Sequence, residues 1–299
     1  MSFSTPIGFL IFNRPDLTEI VFQAIAKVKP QKLFVIADGP RSVEEKEKCD
    51  KTREVIKKID WDCEVLTNFS DVNLGCGRRE SSGFDWVFSQ VDEAIFLEDD
   101  TLPNPSFFDF CQAVLQYYRY DERIMHICGD NSINQNRTSD SYYFSKYTHN
   151  WGWASWKRAW KHYDYHMTTW PMFKESGLIK SIFDNPQEQK YWTKIFEQMY
   201  QDPQVLDTWD YQWLYACWSQ NGLAIAPNKN LISNLGFNRQ DAAHTTKNDP
   251  RSKLPTSDIL EISHPALMVR HKEADSYTYN RIFKENLLQK LRRRLLLVS

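Results

Sequence analysis

A chain of 299 residues, 41% hydrophobic and 14% aromatic, is long enough to bury a large core, as one big domain or as a domain with an appended lobe. Charged residues make up 25% and the formal net charge is -2, which excludes a global pull toward nucleic acid. Six cysteines without CxxC spacing, and no histidine at zinc-finger distance, read as reduced, mostly packed thiols of a cytosolic protein. The opening "MSFSTPIGFLIFNRPD" lacks a basic n-region and its apolar run is too short for a signal peptide or a membrane anchor.

"IGFLIF" (7–12) is a continuous apolar run, the pattern of a strand buried on both faces. Asp16, with Glu19 three residues on, can cap a helix whose apolar face carries Leu17, Ile20, Val21, Ala24, Ile25 and Val28. "KLFVIA" (32–37) is a second strand, and Ser42 with Glu45 forms another candidate capping box. "CEVLTN" (63–68) is a third strand and a helix fits 78–90. "EAIFLE" (93–98) is a fourth strand; Asn104-Pro105 starts a helix running to about Arg119, and "RIMHIC" (123–128) is a fifth strand. Strand and helix alternate, so an α/β domain with a largely parallel sheet is expected. Ligands of such sheets bind at the carboxyl ends of the strands, where Asp38, Asp99 and Asp100 fall. Aromatic residues crowd between Tyr142 and Trp170 and the alternation is lost. This divides the chain into an alternating half, 1–135, an aromatic-rich half, 136–250, and an extension, 251–299.

"FLEDDTLPNPSFF" places three carboxylates where a strand ends. Such an end suits Mg²⁺ or Mn²⁺, which prefer carboxylate and water oxygens; on spacing alone a solvated strand terminus explains it equally well. The ordered set "FNRPD", "IADGPR", "NLGCGRRESSGFDWVF", "FLEDD", "NWGWASW" and "WDYQW" resembles GT-A-fold, nucleotide-sugar-dependent glycosyltransferases. It is similar to the eukaryotic N-acetylglucosaminyltransferases of N-glycan and O-mannosyl glycan synthesis and to their bacterial sugar-transferase relatives, over roughly residues 6 to 246.

The resemblance implies a Rossmann-like, mostly parallel sheet flanked by helices, a nucleotide-sugar-binding half in 1–135, an acceptor-binding and catalytic-base half in 136–250, and a set of roles. Asp100 would be the direct metal ligand of a DXD-type motif. Asp99 would contact the ribose or the waters of the metal, and Glu98 the sugar or the outer sphere of the metal. Asp38 matches a nucleobase contact and Arg14 a nucleotide contact. Arg78 and Arg79 sit where the family places a helix near the nucleotide. The turn "DGP", the strand exit "RP" and a surface position explain these residues as well.

An inverting transferase needs a base at the acceptor hydroxyl. "TWDYQWLYACWSQ" offers Asp207 and Asp210, both near a helix start, where a capping role competes, most strongly for Asp207. The resemblance selects Asp210 and departs at Tyr211, where the eukaryotic relatives often carry a second acid. "SNLGFNRQDAAHT" resembles a segment of the bacterial relatives, with His244 a candidate metal or diphosphate ligand. "HNWGWASWKRAW" brings Trp151, Trp153 and Trp156 together; one or two of these rings are expected to line an acceptor cleft and the rest to be core. In 281–299, "RIFKENLLQKLRRRLLLVS", the residues Phe283, Leu287, Leu291, Leu295 and Val298 share a helical face. A helix on an anionic membrane and a helix packed on the domain both fit.

The expected protein is a cytoplasmic Mn²⁺- or Mg²⁺-dependent inverting glycosyltransferase of bacterial surface-polysaccharide synthesis. Its partners would be a UDP-sugar such as UDP-GlcNAc and a glycan or lipid-linked acceptor, with the tail reaching the inner face of the plasma membrane and no nucleic acid bound. A GT-A-like nucleotidyltransferase and a non-catalytic carbohydrate-binding protein are the alternatives. The absence of a Gly-rich basic loop after the first strand counts against the nucleotidyltransferase.

Overall fold

The computed structural model describes residues 3–132, 136–239, 241 and 249–284. The alternation expected from the sequence is present: β1 (Ile7–Ile11), α1 (Pro15–Val28), β2 (Lys32–Ala37), α2 (Val43–Glu54), β3 (Glu64–Phe69), α3 (Cys76–Gln90) and β4 (Glu93–Glu98). After the short β5 (Thr101–Pro103) come α4 (Pro105–Tyr117), β6 (Ile124–Cys128), β7 (Tyr142–Ser145) and β8 (Trp153–Trp156). Four helices come next, α5 (Lys157–Trp160), α6 (Trp170–Glu175), α7 (Ile179–Ile182) and α8 (Pro186–Gln201). The described chain then adds α9 (Asp210–Ser219), β9 (Leu223–Pro227), β10 (Ile232–Asn234) and α10 (Lys272–Thr278).

Two of the helix starts agree with the sequence pattern and one does not. Asn104 accepts from the amide of Ser106 at 2.8 Å and Pro105 opens α4. Ser42 accepts from the amide of Glu45 at 3.3 Å, but the Glu45 carboxylate turns to Arg41 and Asn13, so only half of the expected box forms. Asp16 does not cap α1. Arg14 occupies the capping position and Asp16 sits in the first turn, where the helix dipole favours an acid.

Eight strands form one sheet in the order β3-β2-β1-β4-β8-β6-β9-β7. β8 runs against both β4 and β6, and β7 against β9, so six of the eight strands share one direction. The fold is therefore α/β with a mostly parallel, Rossmann-like sheet, as the sequence implied. From β1 the chain first builds outward through β2 and β3, then returns to lay β4 on the other side of β1. That reversal is the switch point at which α/β sheets bind ligands. Strands from beyond residue 135 belong to the same sheet, so the sequence boundary near 135 does not separate two cores.

Eight of the eleven tryptophans are buried. Trp153 and Trp156 are among them, which corrects their assignment to the acceptor cleft: β8 is a central strand covered on both faces. Trp153 stacks on Phe96, Trp209 and His126, and the Trp156 indole donates to the carbonyl of Leu115 at 3.2 Å. All six cysteines are free. Of the basic tail only 281–284 is described; His244 and residues 285–299 lie outside the described residues. No described helix is long and apolar enough to cross a membrane.

Candidate active site

The residues that close β1 and β4 meet at the switch point. Arg14 leaves β1 and its guanidinium forks across the acids that end β4. Nη1 donates to Asp100 Oδ2 at 2.9 Å and Nη2 donates to Asp99 Oδ1. The Thr101 hydroxyl pins this turn, accepting from the amide of Glu98 at 2.8 Å and donating to its carbonyl at 3.0 Å. β10 pairs with β5 and lays the next turn over the acids, so the amide of Leu235 donates to the carbonyl of Asp100 at 2.7 Å. Gly236 lies against the Asp100 carboxylate, and a Cβ there would collide with Oδ2.

The site is rich in carboxyl groups and poor in cations. Burial, reinforced by Glu80, Asp100 and Asp99, pushes Glu98 well above the usual carboxylate range. Burial raises Asp99 to about 6 against the pull of Arg14. Burial lowers the Arg14 pKa, but Asp99 and Asp100 outweigh it and hold the guanidinium above its ordinary value. Asp100 Oδ1 is buried without a hydrogen-bond partner. An orphaned carboxylate oxygen amid surplus negative charge fits a hard cation. Among the described residues no three histidine, cysteine or acid side chains are arranged to hold a metal by themselves. A metal bound through one or two carboxylates takes its other ligands from phosphates.

Glu80, which the sequence pattern alone does not single out, belongs to this cluster. It lies in the first turns of α3, accepts from the Cys76 thiol at 3.1 Å and from the Trp209 indole, and faces Asp100 and Asp210. A signal for it exists: Cys76 and Glu80 stand four apart, on one helical face. Burial raises Glu80 to about 7, from an ordinary 4.5. The folded protein thus holds this proton more tightly than the unfolded chain does, and stability falls as pH rises from about 4.5 toward 7. Glu80→Gln is expected to reduce that fall by an amount on the order of 1 kcal/mol, read from urea midpoints at pH 5 and pH 8. An unchanged pH slope would remove Glu80 from the cluster.

Asp210 and Asp207 have separated into different tasks. Asp207 does not cap its own helix. Its backbone is left-handed, φ 43°, and its carboxylate accepts from the amides of Cys76 at 3.2 Å and Gly77 at 3.1 Å, capping α3 from across the chain. Gly75, at φ 80°, has no Cβ to obstruct that carboxylate. Asp210 opens α9 and accepts from the Thr208 hydroxyl at 2.6 Å. Trp209 and Trp213 anchor the start of α9 in the aromatic core, where Trp209 packs on Phe84 of α3 at 4.7 Å. α3 and α9 therefore present Glu80 and Asp210 to one space.

The remaining donor candidates are dispersed. The Asp38 carboxylate accepts from the amides of Gly39 at 2.9 Å, Leu74 at 3.0 Å and Gly75 at 3.2 Å, and from Asn73 Nδ2 at 2.9 Å. It shapes the loop that starts α3. Arg79 turns inward, but its guanidinium donates to the carbonyls of Ala37 and Asn68. Arg78 stays exposed, 5.7 Å from the Tyr165 ring, with no described contact to the acids. Trp151 is the one of the three expected tryptophans that keeps surface. It lies between the Phe237 ring at 5.4 Å and the Arg251 guanidinium at 5.1 Å, beside Asp130 at the end of β6.

No family profile matches the chain, and no curated protein matches it. Solved structures do share the fold loosely. TarS 1–349 of S. aureus is 13% identical over 52% of this chain and 47% of its own, with a TM-score of 0.37. The galactosyltransferase LgtC, solved with donor and acceptor sugar analogs, is 10% identical over 71% of this chain and 69% of its own, with a TM-score of 0.37. The inositol-1-phosphate CTP transferase of T. maritima is 10% identical over 54% of this chain and 74% of its own, with a TM-score of 0.33. The chain thus spans about half the length of the TarS fragment. Superpositions this loose carry no argument about chemistry, which rests on the residues themselves.

Proposed function

We propose that the protein is a metal-dependent, inverting glycosyltransferase of GT-A type. It moves a sugar from a UDP-sugar, UDP-GlcNAc or a close relative, to a hydroxyl of a glycan or lipid-linked glycan. The observation that carries this reading is the meeting of Arg14 with Asp99 and Asp100 at the β1/β4 switch point. A guanidinium suits diphosphate oxygens, and buried acids suit a hard cation that bridges to them.

Asp100, with Asp99 beside it, would hold Mn²⁺ or Mg²⁺, which when bound supplies Lewis-acid stabilisation of the diphosphate leaving group. His244 is kept as a further candidate ligand. Arg14 binds and orients the diphosphate. Glu98 faces the sugar, and Asp38, with its loop, the nucleobase. Arg78 stays a candidate donor contact, and Trp151 offers its face to an acceptor sugar. Asp210 takes the proton of the acceptor hydroxyl as that oxygen attacks the anomeric carbon from the side opposite the diphosphate. The loop after β1, "FNRPD", has no glycine with which to cradle a triphosphate, which favours transfer of a sugar over transfer of a nucleotide. The reaction belongs in the cytoplasm, with residues 281–299 at an anionic membrane surface and the product in a bacterial surface polysaccharide.

The test is a panel of nucleotide sugars incubated with and without Mn²⁺. Release of UDP from one donor, abolished by chelator, is the expected result. Release of pyrophosphate from a nucleoside triphosphate and a sugar phosphate would replace this reading with the nucleotidyltransferase.

A further inference from the structure

We propose that Arg14 is a resident counter-cation that excludes a free divalent ion from Asp100 and yields only to an ion arriving with a diphosphate. The inference rests on the transferase reading and adds a rule of entry to it.

The geometry makes Arg14 and a metal competitors for one carboxylate. The guanidinium spans both acids, and the side chains of Arg14, Asp99 and Asp100 are only 17%, 3% and 11% exposed. Water therefore screens little of what happens between them. An ion coordinated by Asp100 would lie within a few ångströms of a group that stays charged at any working pH. The contest is set by structure as well as by charge. The Arg14 backbone is fixed at the helix start, where its carbonyl accepts from the amide of Thr18 at 3.0 Å and Pro15 comes next. A change of partner therefore falls to the rotatable bonds of its side chain.

A diphosphate resolves the contest. Guanidinium binds phosphate oxygens bidentately, as it binds a pair of carboxylates. When the diphosphate takes the fork, Asp100 Oδ2 is released beside the already unpartnered Oδ1, and the ion can bind carboxylate and phosphate together. Metal and nucleotide should then bind with strong positive coupling, and linkage makes the factor equal in both directions. In this scheme Arg14 selects the metal–nucleotide complex over the free ion.

The test is binding, without turnover. Free Mn²⁺ is titrated by electron paramagnetic resonance against the full chain, with and without UDP. In the wild type, UDP should tighten Mn²⁺ by about 30-fold or more, within the range usual for coupled sites. Arg14→Gln should bind Mn²⁺ alone about tenfold tighter than the wild type and lose most of the effect of UDP. Mn²⁺ affinity of the variant no higher than that of the wild type overturns the role of Arg14, while the metal reading stands if UDP still tightens the wild type. If the wild type takes up no Mn²⁺ even with UDP, both fall. Should Arg14→Gln not fold, the wild type still decides: Mn²⁺ and UDP binding independently of each other overturns the inference.

Discussion

Asp210→Asn is expected to lower turnover about 10²- to 10⁴-fold, the usual cost of removing a general base. The substitution keeps the shape of the side chain, and the Thr208 hydroxyl can still donate to the amide oxygen. What it loses is the capacity to accept a proton at neutral pH. Affinity for UDP should barely change, since in the proposed reading Arg14 and a metal held by Asp100 would bind the diphosphate. Asp207→Asn is the contrast. Its carboxylate caps α3 with one oxygen on the amide of Cys76 and the other on that of Gly77; asparagine keeps one of these two acceptors and tolerates the left-handed backbone. It should keep most activity and lose about 1 kcal/mol or less of stability. Steady-state kinetics with a fixed donor separates the two. If Asp207→Asn is the inactive variant, or Asp210→Asn loses less than tenfold, Asp210 is not the base.

Asp100→Ala should abolish metal-dependent turnover, by a factor on the order of 10²–10³ or more, while the protein still folds. Stability should hold or rise. Burial lifts Glu98 and Asp99 and the neighbouring Asp100 lifts them further; the change removes that added repulsion, and Arg14 keeps its bond to Asp99. Thermal melting together with UDP release measures both halves. Full activity in the variant, or in the wild type under excess chelator, would dismiss the metal assignment. A loss of activity accompanied by collapse of the melting transition would make Asp100 a structural residue.

Much of the sheet was legible because parallel strands buried on both faces leave unbroken apolar runs, as in "IGFLIF", "KLFVIA" and "EAIFLE". The acids at the end of β4 could be placed for the same reason: once the strand is located, the residues at its carboxyl end are located with it. The place of β8 was not legible. "WASW" is four residues whose aromatic content suggests a cleft, and only pairing with β4 and β6 shows that both its faces are covered. The partner of Asp207 was hidden too, because local sequence offers each acid the nearest helix start, whereas the bond formed reaches α3, 130 residues away. Of the neighbours of Glu80 only Cys76 shares its helix; Trp209 and Asp210 come from the start of α9 and Asp100 from the end of β4, and that convergence was hidden. Sequence spacing reports faces of one element well and convergence of several elements poorly.

The insertion of β8 between β4 and β6 bears on how the chain is made. A ribosome that has released residues 1–135 has delivered β1 to β4 with their crossover helices, but not the strand that closes the free side of β4. Until Trp156 reaches Glu93, the backbone of Glu93, Ala94, Ile95 and Phe96 offers an open edge in the middle of the future sheet. Such an edge is a template for another nascent copy. The first half of this chain is therefore a segment to be shielded during synthesis, and residues 1–135 expressed alone are expected to self-associate through the uncovered edge of β4.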